Sequence, residues 1–302
     1  MIELPIIFSH YGNVDYLAKS MLCASLTNPS KRKILIGDSS NRDSAVDNGW
    51  EHIEFDLINS NLRTEFIDNF RHIHGALHPI VKNQGDWLRY VFERWYFTEQ
   101  FCKENQISQF WHFDSDVMLL EDLRLFEPSL TEHYDFTTQC NNMCLNGMVK
   151  LNVLTEYCSH MIELFKDKEF LALQQHEFDT VNPSYAFTEM RAYENFSNSP
   201  SLQARQCHLE SIFDGWWFDD CICQDDGFLM ELHPLANRLI KKVFFRNGSF
   251  MGTHNDKEIL FAAVNLSWVP TSLFDWFIRC VQSRQGVSSP ISNHLIEWAP
   301  SF

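Results

Sequence analysis

Two carboxylates separated by a single residue are the feature of this chain most able to do chemistry. They lie in Phe110-Trp-His-Phe-Asp-Ser-Asp-Val-Met-Leu-Leu120, where an apolar run stops for Asp114-Ser115-Asp116 and then resumes. In extended backbone, residues two apart project to the same side, so both carboxylates aim at one place. Held that close they repel, and one takes up a proton unless a cation sits between them. A hard divalent ion with oxygen ligands is the natural partner, and it leaves coordination positions open for phosphate oxygens. The competing reading is a polar strand-to-loop turn with Asp as its capping residue. Position weighs against it, because charges set between two apolar runs are costly when buried unpaired.

The elements that must position this triplet are legible around it. Residues 107–113 are short, aromatic-rich and apolar, which predicts a strand buried on both faces of a parallel sheet. Ligands in such sheets bind beyond the carboxyl ends of the strands. The chain opens with a strand at 5–9, a helix at 15–26 with Leu17, Ala18, Met21, Leu22 and Leu26 at helical spacing, and a strand at 33–38. This β-α-β unit begins a nucleotide-binding half, yet no G-x-G-x-x-G and no P-loop follows its first strand. Phosphates would then be held otherwise, which Asp114, Asp116 and a metal would supply. Asp38, at the end of the second strand, can accept from a ribose hydroxyl or a base N–H, or serve a tight turn in Gly-Asp-Ser-Ser-Asn. Tyr11 offers a flat face to a base, or packs. Residues 86–103 form the best-marked helix, with Leu88, Val91, Trp95 and Cys102 as a stripe and Arg89 and Arg94 on its flanks. A flank arginine can reach over the sheet edge to a diphosphate.

Further along, a strand is expected at 51–59 and a helix at 60–77 ending near Pro79. The helix carries His72, His74 and His78, which read as solvated because residues two apart on a helix do not face each other. A strand at 136–138 and a polar loop at 141–147 suited to a sugar follow, then an amphipathic helix at 154–165. Glu189 opens another helical stretch, a place for a carboxylate to face a cleft. Asp219 and Asp220 follow Trp216-Trp217-Phe218, a pairing of aromatics and acids that suits carbohydrate but also suits a core. Strands at 243–248 and 259–264 precede a packing helix with Leu273, Phe274, Phe277 and Val281 at helical spacing.

Composition bounds the class. The 302 residues are 45% hydrophobic and 14% aromatic, enough for a core, and without repeats or linkers they read as one domain over 1–302. A net charge of −16 argues against nucleic acid as a partner but not against a nucleotide, whose local field a metal neutralises. Nine cysteines without paired C-x2-C spacing read as reduced thiols. The start Met1-Ile-Glu-Leu-Pro reads as no signal peptide, and no apolar stretch approaches ~18 residues. A cytoplasmic location is expected, with peripheral association at the inner face of the membrane left open.

With these residues laid out, the sequence resembles metal-dependent glycosyltransferases of the GT-A type, and in particular bacterial enzymes that build surface polysaccharides. The carrying residues are Pro5–Leu17, Ile34-Leu-Ile-Gly-Asp38, Glu93-Arg-Trp95 and Phe113-Asp-Ser-Asp-Val117, within the first 120 residues. The resemblance implies an α/β, GT-A-like, Rossmann-type three-layer fold with a mostly parallel central sheet flanked by helices. It implies a nucleotide-binding half over 1–120 and an acceptor-binding half over 121–302. His10, Tyr11 and Asp38 would then hold the nucleoside, and Arg94 the donor phosphate or sugar. Asp114 and Asp116 would carry Mn2+ or Mg2+ on the diphosphate of a nucleotide sugar, a UDP-sugar foremost, with Ser115 between them among the donor-binding residues. The acceptor would be a saccharide or glycolipid, and its base Glu189, with Asp219 and Asp220 behind it. Relatives often add a metal ligand, commonly His, near the C-terminus; here Asn265 or His254 would have to serve. A nucleotide-sugar hydrolase and a carbohydrate-binding protein with a decayed site are the competing readings.

Overall fold

The opening β-α-β unit forms as the periodicity predicts: β1 (Ile6–Ser9), α1 (Asp15–Thr27) and β2 (Lys33–Gly37). In the computed structural model, which describes residues 3–78, 87–287 and 292–298, α2 (Arg42–Asp47) leads to β3 (Glu51–Glu54). That strand ends earlier than its alternating residues suggested, because the chain winds into a 3-10 turn at Phe55–Leu57. The next helix is also shorter than expected. α3 (Asn61–Asn69) starts where the Ser60 hydroxyl accepts the Arg63 N–H at 3.2 Å. Pro79 and Asp86, predicted to bound neighbouring helices, lie outside the described residues. α4 (Trp87–Glu104) follows, and then β4 (Gln109–His112).

Beyond β4 the chain does something the sequence did not announce. Asp114-Ser115-Asp116 turns it out of one sheet and into another: the resumed apolar run, β5 (Val117–Leu119), belongs to a second sheet. The remaining elements are α5 (Glu127–His133), β6 (Phe136–Thr138), β7 (Gly147–Lys150), α6 (Leu151–Lys166), α7 (Lys168–Thr180), α8 (Glu189–Ser197), β8 (Gln206–His208) and β9 (Trp216–Phe218). They are followed by β10 (Met230–His233), β11 (Arg238–Lys241), β12 (Phe244–Arg246), β13 (Ser249–His254), β14 (Lys257–Asn265) and α9 (Ser272–Arg284).

The central sheet runs β3-β2-β1-β4-β7-β6-β8. β3, β2, β1 and β4 are parallel to one another, β7 is antiparallel to both its neighbours, and β6 and β8 are parallel. The fold is thus α/β with a mostly parallel central sheet, as expected. Helices cover both faces. Ile7, Ile34 and Ile36 point into a layer with Phe66 of α3, Phe92 and Tyr96 of α4, and Met161 of α6. The alternate residues Ile6, Phe8 and Leu35 point the other way, onto Leu17, Met21 and Ala24 of α1 and Ala45 of α2. The second sheet, β12-β13-β14-β5 with β9 along β14, packs against Phe274, Phe277 and Val281 of α9. Among the described residues all nine cysteines are free.

Strand order fixes where a ligand can go. From β1 the chain runs outward through β2 and β3, then returns to place β4 on the opposite side of β1. The loops after β1 and β4 therefore diverge, and a crevice opens between them. Phe92 ties α4 to this frame: it is fully buried, with Phe66, Phe165 and Phe187 within 6 Å of its ring. Phe92→Ala should cost about 3–5 kcal/mol of stability, read from urea unfolding.

Candidate active site

The crevice between the β1 and β4 loops opens into a cavity of about 960 Å³. His10, Tyr11 and Gly12 reach it from the β1 loop, Asp114, Ser115 and Asp116 from the corner after β4, Tyr90 and Arg94 from α4, and Glu189 from the first turn of α8. The two halves of the crevice are stitched together where His10 Nδ1 meets the Ser115 hydroxyl at 2.7 Å. Tyr157 on α6 donates to the Glu189 carbonyl at 2.8 Å and so seats α8 against the site.

Arg94 is the hub. Its Nη1 donates to Asp114 Oδ1 at 2.7 Å and its Nη2 to Glu189 Oε1 at 3.0 Å. One guanidinium thus serves two carboxylates that burial would otherwise keep apart. Burial works against the charge on Asp114, but Arg94, the nearby His112 and Asn146 hold its carboxyl below the usual range. Glu189 gains less: burial pushes it up to about 7, against the pull of Arg94 and with Asp114 adding repulsion. Burial and the Asp114 charge raise Asp116 to about 6, while the Ser267 hydroxyl, donating to Asp116 Oδ2 at 2.6 Å, draws it back. His10 is lowered to about 4, first by burial and then by Arg94, against the pull of Asp38 and Asp114, so it is neutral at pH 7.

Four buried polar atoms of residues lining this cavity have no hydrogen-bond partner among the described residues: His10 Nε2, the Tyr90 hydroxyl, Arg94 Nε and Asp116 Oδ1. Buried polar groups are paired as a rule, so several unpaired ones on residues lining one cavity suit a site for a polar ligand. The donor set at the corner suits a hard cation. Asp116 Oδ1 is free, Asp114 lies beside it, and among the described residues no third His, Cys, Asp or Glu joins them. Two carboxylates that leave other positions to water and phosphate match what Mg2+ accepts.

The structure brings together His10, Tyr11, Arg94, Asp114, Ser115, Asp116 and Glu189, and it separates the other residues the sequence suggested. Asp38 sits at its strand end, but its carboxylate is spent on the Gly12 N–H, the Ser40 N–H at 2.8 Å and the Ser40 hydroxyl. It shapes the turn that presents Tyr11. Asn265 lies opposite Val117 at the end of β14, beside the corner, but its Oδ1 accepts the Ser267 N–H at 2.8 Å. Ser267, which sequence reasoning passed over, is the residue that reaches Asp116. Its only signal was the break from apolar strand to Asn-Leu-Ser. His254 needs correction. It pairs with Lys257 at the far end of β14, and at ~3.3 Å per residue that is roughly 26 Å from Asn265. Its ring lies tilted against that of Trp217 instead, centroids 4.5 Å apart. Asp219 and Asp220 also need correction. They do not line the cavity, and the buried Lys241 ammonium lies 2.5 Å from Asp219 and 3.9 Å from Asp220. A buried lysine requires such partners, so these acids balance the charge at the end of β11.

No family model matches the chain, and no curated protein matches it. Solved structures do. Mouse xyloside xylosyltransferase 1, in its apo form, shares 8% identity over 70% of this chain and 86% of that one, with a TM-score of 0.43. The galactosyltransferase LgtC, in complex with donor and acceptor sugar analogues, shares 12% identity over 70% of this chain and 74% of that one, with a TM-score of 0.40. The glycosyltransferase GlyE of Streptococcus pneumoniae TIGR4 shares 9% identity over 69% of this chain and 45% of that one, with a TM-score of 0.33. These are glycosyltransferases. A likeness so distant carries no residue roles across, and the chemistry of the site rests on its own side chains.

Glu189 gives the site a pH signature. Its folded-state value near 7 lies above the ordinary 4.5, so folding retains its proton between those limits while the unfolded chain gives it up. The stability it contributes is complete below pH about 4.5 and is lost as the pH rises through about 7. Glu189→Gln should therefore gain stability relative to the native chain as the pH goes from about 5 to about 8, in thermal melts across that range. A difference that stays flat would mean that Glu189 ionises normally.

Proposed function

We propose that the chain is a glycosyltransferase, moving a sugar from a nucleotide-diphosphate donor, a UDP-sugar foremost, to a hydroxyl of a saccharide or glycolipid acceptor. The observation that carries this reading is the convergence on one cavity of paired aspartates, an arginine and unpartnered polar atoms, at the switch point of a parallel sheet. That arrangement suits a diphosphate with a cation on it and a sugar beyond. In this reading residues 1–120 supply the nucleotide-binding half and residues 121–302 the acceptor side.

Asp114 and Asp116 would hold Mn2+ or Mg2+, which when bound supplies positive charge to the departing diphosphate. The chain's own residues do the rest. Ser267 fixes one oxygen of Asp116 and leaves the other free. Arg94 sets Asp114 and Glu189 at a defined separation, and its free Nε is the donor left to meet substrate oxygen. Neutral His10, anchored to Ser115, and the Tyr11 face border the space for the nucleoside. Glu189 takes the acceptor proton. As it does so, the acceptor oxygen bonds the anomeric carbon, and the bond from that carbon to the diphosphate breaks with its electron pair on the leaving group. A carboxyl poised near pH 7 is matched to that task.

The direct test is a thermal-shift panel of nucleoside diphosphates with and without Mn2+, since a ligand stabilises the fold only if it is recognised. A Mn2+-dependent rise in Tm with one base is expected, and it should be absent in Asp116→Asn. No shift with any base, or an undiminished shift in that variant, removes the proposal. Glu189→Gln should keep the nucleotide-induced shift while sugar transfer falls by roughly 10²–10⁴-fold.

A further inference from the structure

Of the nine free cysteines, two are placed to react with each other. Cys221 and Cys223 flank Ile222 in a turn that the Gln224 N–H closes on the Cys221 carbonyl at 3.1 Å. Alternate residues of a tight turn stand roughly 5–6 Å apart at Cα, inside the range that a disulfide spans. The turn is pinned from beneath. Ile222 is fully buried, its N–H donates to the Asn265 carbonyl at 2.9 Å, and its carbonyl accepts the Lys241 N–H at 2.8 Å. The two thiols stay half-buried, within reach of solvent, and that of Cys221 donates to the Cys223 sulfur.

The surroundings of the two sulfurs differ. Arg238 Nη1 donates to Cys223 at 3.8 Å, and Lys241 adds positive charge nearby. The hydrogen bond from Cys221 and these cations lower the Cys223 thiol to about 6, against the effect of burial. Cys221 is driven up by that same hydrogen bond and by burial, with Asp219 adding repulsion. At pH 7 one sulfur is thus a thiolate while its neighbour keeps its proton, which are the states of an attacking and a resolving thiol. Cys140 and Cys144 make another close pair, but their hydrogen bond and burial raise Cys144, and the charges it feels are the acids Asp114 and Glu189. The Ser267 carbonyl lies 3.7 Å from the Cys223 sulfur, which places the reactive turn beside the residue that holds Asp116.

We propose that Cys221 and Cys223 are a reversible redox pair, in which Cys223 attacks hydrogen peroxide and Cys221 resolves the product to a disulfide. The Cys223 sulfur bonds one peroxide oxygen and the O–O bond breaks. The departing hydroxide takes a proton and leaves as water, so Cys223 becomes a sulfenic acid. The Cys221 sulfur then gives up its proton and bonds the Cys223 sulfur, while the S–O bond breaks and a second water leaves. Two thiols are oxidised to one disulfide as one peroxide is reduced to two waters. Nothing in this depends on the sugar-transfer reading.

The test treats the reduced full chain with hydrogen peroxide at pH 7, blocks the remaining thiols with iodoacetamide, and reads the tryptic peptide of residues 206–238 by mass spectrometry. That peptide should be two hydrogens lighter, with Cys207 alkylated and Cys221 and Cys223 not, and dithiothreitol should restore both thiols. In Cys221→Ser the reaction should stop at a Cys223 sulfenic acid that dimedone traps. In Cys223→Ser the link should be lost, and in Arg238→Gln it should form roughly threefold more slowly. Full alkylation of both cysteines after peroxide, a Cys140–Cys144 link that forms first, or dimedone capture elsewhere as fast as at Cys223 would overturn the proposal. So would a Cys221–Cys223 link that forms equally fast in the urea-unfolded chain, because nearness in sequence would then suffice.

Discussion

The site depends on one cation shared between two acids. Arg94, nearly buried on α4, holds Asp114 from the central sheet and Glu189 from α8 at the same time. Three elements far apart in sequence are thereby pinned at one point. The arrangement is also unequal: at Asp114 Arg94, helped by His112 and Asn146, overcomes burial, whereas at Glu189 burial prevails. Of the two carboxylates that Arg94 bridges, one thus stays charged and the other can exchange a proton near neutrality. Two carboxylates driven apart in pKa by their surroundings are the usual basis for dividing acid–base roles.

The corner at Asp114-Ser115-Asp116 explains why charge is tolerated in the middle of an apolar run. The chain is leaving one sheet for another there, and the Val117 N–H closes the turn on the Asp114 carbonyl at 3.0 Å. A strand interior offers no room for two carboxylates, whereas a corner between sheets turns them into the crevice. Loops from both sheets then complete the surroundings: His10 meets Ser115 from the central sheet, and Ser267 meets Asp116 from the end of β14. In this strongly acidic chain the acids Asp114 and Glu189 are answered within the crevice by Arg94.

Much of this was legible in the residues. The β-α-β opening, the amphipathic α4 stripe and the Asp-Ser-Asp break follow from local periodicity and from the expense of burying charge, both of which act over a few neighbours. Glu189 as a helix-opening carboxylate was legible too. Other assignments failed for one reason. His254, Asp219 and Asp220 are residue types that do chemistry, but whether they reach the crevice is set by strand register and by a buried lysine that no local pattern links to them.

The sequence by itself determined the opening β-α-β unit, the α4 helix and the pair of adjacent carboxylates, because periodicity and charge act locally. Only the tertiary structure decided that the triplet is a corner between two sheets, that Arg94 bridges Asp114 to Glu189, and that Ser267 rather than His254 stands beside Asp116. Those contacts join positions 20, 95 and 151 residues apart. Their geometry comes from packing whole layers together, which leaves no trace in the spacing of neighbouring residues.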